Sequence, residues 1–199
     1  MLKSFVLTLV FLCVASGVSA QTKGRVGVGA SVTHNSTTDP DVQSATGVGI
    51  LIRLNPHKGW GPAGAFNWFT ASLADPAGGE PVARLRVRPL MGGVAYTIGP
   101  KVFLVSLSVV TGPSFNRVRF RGSRSSDPSE SIEADNSWAF RLGVGVTATV
   151  APRVAVVGFA GYLVNRPGVV YRDRFGTTFT GRWKADAVVT SVGVVYSVF

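Results

Sequence analysis

Ser137-Trp138-Ala139-Phe140-Arg141-Leu142-Gly143-Val144-Gly145-Val146-Thr147-Ala148-Thr149-Val150 reads with a period of two. Its even positions are Trp, Phe, Leu, Val, Val, Ala and Val; its odd positions from Ala139 hold Ala, Arg, two Gly and two Thr. Side chains of a β-strand alternate between faces, so this is a strand with one apolar face and one small, polar face. Val26, Val28, Ala30 and Val32 alternate with Arg25, Gly27, Gly29 and Ser31 in the same way. No stretch shows the 3.6-residue spacing of an amphipathic helix.

The charge pattern around that strand narrows the class. From Asn136 to Asn165 the only charged residues are Arg141 and Arg153. A soluble antiparallel sheet keeps charged side chains on its wet face, and here that face is Gly, Ser and Thr. The same residues suit the narrow lumen of a small membrane barrel, with hydrocarbon solvating the valines and closure satisfying every backbone hydrogen bond. Transmembrane placement is therefore expected over a soluble, lipocalin-like periplasmic barrel.

Turn residues divide the chain into eight expected strands, approximately 23–33, 45–54, 62–73, 82–97, 101–115, 136–150, 154–165 and 182–198. About 9 to 11 residues suffice for a tilted strand to cross a bilayer. Asn55–Gly59, Gly99-Pro100 and Ala151-Pro152-Arg153 are tight turns, whereas the connections around 34–44, 74–81, 116–135 and 166–181 are longer and more polar. Asp39, Asp41, Asp75, Glu80, Asp127, Glu130, Glu133, Asp135 and Asp173 all fall in the long set, and only Asp186 falls in an expected strand. Short turns at one end and long loops at the other mark an all-β, antiparallel up-and-down transmembrane barrel. The loop 116–135 reads as mobile, and a last hairpin through Val169–Tyr171, turning at Asp173–Gly176, is expected to stand above the membrane.

The first twenty residues read as a signal peptide: Lys3, an apolar run from Phe5 to Val14, then Val18-Ser19-Ala20, with cleavage between Ala20 and Gln21. Residues 21–199 form one barrel domain. The single cysteine, Cys13, lies in the apolar run, so no disulfide or thiolate chemistry is expected of the mature chain. The formal net charge of +10 ordinarily raises nucleic acid as a partner, but export makes anionic lipid and lipopolysaccharide the expected counterpart. Nothing in the pattern sets an oligomeric state.

The chain finishes Val194-Val195-Tyr196-Ser197-Val198-Phe199. Here it resembles the small bacterial outer-membrane barrels, the OmpA-like and OmpX-like proteins. The resemblance covers the mature chain as a pattern, with Phe199 as its one specific residue. It implies an outer-membrane location and recognition of Phe199 by the outer-membrane assembly machinery. Ser197 departs from the family's ending, which carries an aromatic two places before the terminus.

Arg84, Arg86 and Arg88 recur at period two, as do Arg117, Arg119 and Arg121, at adjoining ends of neighbouring expected strands. Together they would form a basic mouth or rim able to bind phosphate or carboxylate in bidentate fashion. The plainer alternative, which the pattern favours, pairs them with Glu130, Glu133, Asp135 and Asp186 or with outer-leaflet phosphates. A barrel enzyme acting on lipid A is the other class; it would need a histidine beside a serine, and only His34-Asn35-Ser36 offers one, at the start of the first long loop. There is no Cys/His cluster for zinc, and Asp39-Pro40-Asp41 is a poor cation cage, so neither metal nor cofactor is expected. The expected function is a non-catalytic outer-membrane scaffold displaying loops, with a narrow channel as a further alternative.

Overall fold

The computed structural model describes residues 25–39, 42–55, 58–73, 83–100, 102–120, 131–172 and 175–198. The signal segment with Ala20 and Gln21, the terminal Phe199, Arg121 and Glu130 all lie outside the described residues.

Eight long strands close into an antiparallel barrel: β1 (Arg25–Thr37), β2 (Ala45–Asn55), β3 (Gly59–Leu73), β4 (Ala83–Ile98), β5 (Phe103–Phe120), β7 (Ser137–Ala151), β8 (Val154–Asn165) and β11 (Ala187–Ser197). Each pairs with its sequence neighbour around the barrel, and β1 closes onto β11 from Gly27↔Ser197 to Thr37↔Ala187. The tight turns expected at 55–59, 99–100 and 151–153 all fall at one end, with Gly59 and Gly99 at positive φ. The long connections share the other end.

Three short strands make a second sheet at that long-loop end: β6 (Ser131–Ala134), β9 (Gly168–Arg172) and β10 (Thr178–Arg182), in the order β10-β9-β6. The expected hairpin above the membrane is β9-β10. Several boundaries differ from the sequence reading. The segment expected as a mobile loop from Asn116 instead continues β5 to Phe120 and supplies β6, because Ile132 and Ala134 pack against the barrel's apolar core. Asp186 immediately precedes β11 rather than lying in it.

The alternation places the apolar face outward along the part of the wall nearer the short turns. Val28, Val32, Val48, Ile50, Ile52, Val94, Ile98, Leu107, Val144, Val156, Val192 and Val194 are all exposed. The lumen behind them is lined by Gly29, Gly49, Ser106, Ser108, Gly145, Thr147 and Ser191. Towards the long-loop end the same inward parity carries Leu73, Leu85, Val87, Val118, Leu163 and Val189, all buried in one cluster. The expected lumen of small and polar residues is thus confined to the lower part. The upper part is packed like the core of a soluble protein, because the wall outside it is wet.

Candidate functional site

β4 and β5 carry the transition between the two regimes. On β4 the outward positions run Arg84, Arg86, Arg88, Leu90, Gly92, Val94, Tyr96, Ile98, while Ala83, Leu85, Val87, Pro89 and Met91 are buried. On β5 they run Phe103, Val105, Leu107, Val109, Thr111, Pro113, Phe115, Arg117, Arg119, with Asn116 and Val118 buried. The arginines therefore stand on the outer wall, one or two turns of the pleat above the apolar band. They do not line the mouth, and none of the five described lies in the lumen.

Register brings them together. Arg84 lies opposite Arg119, Arg86 opposite Arg117, and Arg88 opposite Phe115. Directly opposed residues on one face of an antiparallel pair have Cβ atoms about 4.5–5.5 Å apart, and like charges so placed repel. On the other flank β3 offers Thr70 opposite Arg86 and Ser72 opposite Arg84, both neutral. Arg88 stacks its guanidinium over the Trp68 ring at 4.2 Å, and its Nε has no hydrogen-bond partner. Glu133, Asp135 and Asp186 form no ion pair with any of the five. The pairing expected with those carboxylates is not what the structure shows.

Aromatic rings edge the apolar band. At the short-turn end Trp60 and Tyr96, cross-strand partners, sit 5.2 Å apart, with Phe103 and Tyr196 also exposed. At the upper edge are Trp68, Phe115, Trp138, Phe140 and Tyr162, and the Trp138 indole N–H donates to the Thr111 hydroxyl at 2.6 Å. Two other rings lie away from these edges: Phe69 faces the lumen as part of the buried core, and Trp183 packs against that core from the long-loop end.

His34 and Ser36 lie within β1, not in a loop, and both face outward near the upper edge of the band. The strand runs on to Thr37 because β11 and β2 continue alongside it. The imidazole Nδ1 shares a hydrogen bond of 3.2 Å with the Thr46 hydroxyl.

Comparison with known proteins adds the fold's relatives. No protein-family model and no curated protein matches the sequence. Among solved structures, a major outer membrane protein of Thermus thermophilus superposes with a TM-score of 0.57 at 14% identity, over 88% of this chain and 99% of that one. Outer membrane protein W of E. coli gives 0.53 at 14% identity, over 89% and 100%. The attachment invasion locus protein Ail of Yersinia pestis gives 0.50 at 12% identity, over 87% and 96%. What is shared at such identity is the fold: a closed, eight-stranded barrel, here with an apolar outer band between aromatic rims.

The chain has the fold of the small outer-membrane barrels.

In barrels of this fold the short turns face the periplasm and the long connections face outside; here the long-connection end carries the β10-β9-β6 sheet. At that outer end the barrel holds a polar clamp that sequence reading did not find. The Asp186 carboxylate, 5% exposed, accepts from Arg166 Nε and Nη2 at 3.1 and 2.9 Å and from the Asn165 backbone N–H at 3.0 Å. Its backbone carbonyl accepts from the Thr38 N–H at 3.0 Å, tying β1's end to β8 and β11. The side-chain hydrogen bond from Arg166, with the charge of Asp186 behind it, holds the guanidinium above its ordinary pKa. Beside the clamp, Asn116 donates to the Ser137 hydroxyl at 2.8 Å and to the Asp135 carbonyl at 3.0 Å, and Asn165 donates to the Ser114 hydroxyl at 3.3 Å. The only signal in the sequence was a single acidic residue before an otherwise uncharged strand. Its partner is twenty positions away and is set by barrel register.

Proposed function

We propose that this outer-membrane barrel is a non-catalytic scaffold that holds its β10-β9-β6 sheet above the bilayer and grips outer-leaflet lipopolysaccharide through the arginine wall of β4 and β5. One observation carries this reading. Arg84/Arg119 and Arg86/Arg117 are directly opposed like charges on the outer face, at the height where the apolar band ends and lipid headgroups begin. Alone, such pairs destabilise the sheet; with a phosphate between them, each becomes a set of charge-assisted, bidentate hydrogen bonds. The bare edge strand β10, exposed at all five residues, with Phe175 and Phe179 also exposed, is the surface such a scaffold presents.

The competing readings have less support. The apolar packing of Leu85, Val87, Leu163 and Val189 fills the upper lumen, which disfavours a solute channel. His34 bonds to a threonine hydroxyl, a partner that cannot orient and charge-stabilise an imidazole as a carboxylate does. Recognition by the assembly machinery through Phe199 is part of the same proposal.

The test is binding of purified lipopolysaccharide to the folded protein across a salt series. Replacing Arg84, Arg86, Arg117 and Arg119 together by Gln is expected to weaken binding and flatten its salt dependence, with the barrel still heat-modifiable on electrophoresis. Equal binding by the folded variant would refute the arginine wall as the lipid site. Lipid A from cells carrying His34→Ala or Ser36→Ala is expected to have an unchanged mass spectrum; a change tracking both residues would replace the scaffold by an enzyme.

A further inference from the structure

Arg141 is a charged side chain that points into the lower lumen. It comes from the middle of β7, between Val110 of β5 and Leu163 of β8, and is only 9% exposed. Its guanidinium lies over the face of Phe159 at 4.4 Å. The ring reaches that position because Gly143 and Gly161 leave the wall bare beneath it, where a methyl group would collide. With the Asn67 amide oriented oxygen-first, Nη1 donates to it at 3.1 Å, and Nε has no partner at all.

A buried guanidinium ordinarily has a carboxylate, because an unpaired ion away from water is costly. Here the four described carboxylates, Asp39, Glu133, Asp135 and Asp186, all belong to the extracellular end, and Asp186 is taken by Arg166. Arg141 instead borders a cavity of about 130 Å³, lined also by Asn67, Ser106, Ser108, Thr147 and Ser191. Ser106 and Ser108 donate to the carbonyls of Gly145 and Gly143 over long distances, 3.4 and 3.3 Å, so both hydroxyls can turn towards a better acceptor at little cost. A cavity of this size has room for a small anion together with several waters. The cross-strand neighbours of Arg141, Val110 and Leu163, belong to the buried apolar cluster, which borders the site on the long-loop side.

We propose that this cavity is an anion site: a small monovalent inorganic anion of the chloride class sits against Arg141 and takes donors from the serine hydroxyls of the neighbouring strand β5. The chemistry is complementary in sign and donor type, and it supplies a counter-charge that none of the described carboxylates provides. The site is separate from the arginine wall and does not depend on it.

Chloride itself is the probe. The full mature protein, folded in detergent, is expected to broaden the chlorine-35 resonance of sodium chloride in a saturable manner beyond the detergent blank, with the broadening displaced by nitrate and not by gluconate, which is too large. Arg141→Met is expected to lose at least tenfold of the saturable broadening, while the variant with Arg84, Arg86, Arg117 and Arg119 changed to Gln retains it. Ser108→Val, which fills the cavity from the adjacent strand and leaves Arg141 in place, is expected to show the same loss, and serves if Arg141→Met does not fold. No saturable broadening by the unaltered protein, full broadening in folded Arg141→Met or Ser108→Val, or displacement by gluconate as effective as by nitrate would each overturn the proposal.

Discussion

The lower and upper parts of this barrel are built on the same strands with the same phase, yet their polarity is reversed. Along β4, positions 90, 94, 96 and 98 turn Leu, Val, Tyr and Ile outward over a lumen of Gly93, Ala95 and Thr97; positions 84, 86 and 88 turn Arg outward over Ala83, Leu85 and Val87. Parity never slips, so the inward set stays inward. What changes is the solvent outside. Where hydrocarbon bathes the wall, apolar side chains go out and the lumen is left to small and polar residues; where water bathes it, the wall is charged and the lumen becomes a conventional core. One sheet thus obeys membrane rules at one end and soluble rules at the other, and the changeover at Leu90 and Phe115 marks the headgroup level.

The largest expected effect tests the upper core. Leu85→Ala or Leu163→Ala removes a fully buried side chain from a packed cluster and is expected to cost about 2–5 kcal/mol in urea unfolding from lipid vesicles. Leu107→Ala faces hydrocarbon, leaves no internal cavity, and is expected to cost markedly less. Equal losses would break the contrast between the two regions.

Charge on the lower wall comes next. Val144→Arg places a guanidinium in the apolar band and is expected to lose about 2–4 kcal/mol, as mid-bilayer arginines do in such barrels. Arg119→Leu, the opposite exchange above the band, is expected to change unfolding by no more than the roughly 0.5 kcal/mol typical of surface sites. A costly Arg119→Leu would move the membrane boundary.

A smaller loss is expected for Asp186→Asn. It leaves a hydrogen bond to the Asn165 N–H and removes the charge partner of an exposed arginine, so about 1–3 kcal/mol is expected, with the long-loop end opening first to hydrogen exchange. Uniform loosening of the whole barrel would show that the clamp does not act locally.

The smallest effect has the opposite sign. Changing Arg84 or Arg86 to Gln relieves a directly opposed like-charge pair and is expected to stabilise the protein in polyanion-free detergent by about 0.2–1 kcal/mol. The gain should vanish when lipopolysaccharide is present. A loss in detergent would mean that the arginines already have partners within the chain.

Much of this was legible locally. The period-two runs around Val144 and Val28, the Gly-Pro and Pro-Arg turns, and the scarcity of charge from Asn136 to Asn165 carry the barrel, its strand number and its greasy outside, because alternation is a property of the strand alone. The two arginine trios were visible as periodic, and their shared face follows from that. Their placement on the outer wall was not visible, since alternation does not say which face is the lumen until the sheet closes. Nor was the opposition of Arg84 with Arg119, which needs the β4–β5 register.

By itself, then, the sequence of this protein determined strand phase, turn positions and the contrast between its ends, all of which depend on residues within a few positions of one another. The tertiary structure alone decided three things. It drew β6 out of an apparent loop by giving Ile132 and Ala134 a core to cover; it joined Asp186 to Arg166; and it left Arg141 in the lumen, with no carboxylate of the described residues in reach. Each depends on closure of the barrel, which brings together side chains from strands far apart in the chain and shuts out the water that would otherwise have satisfied them.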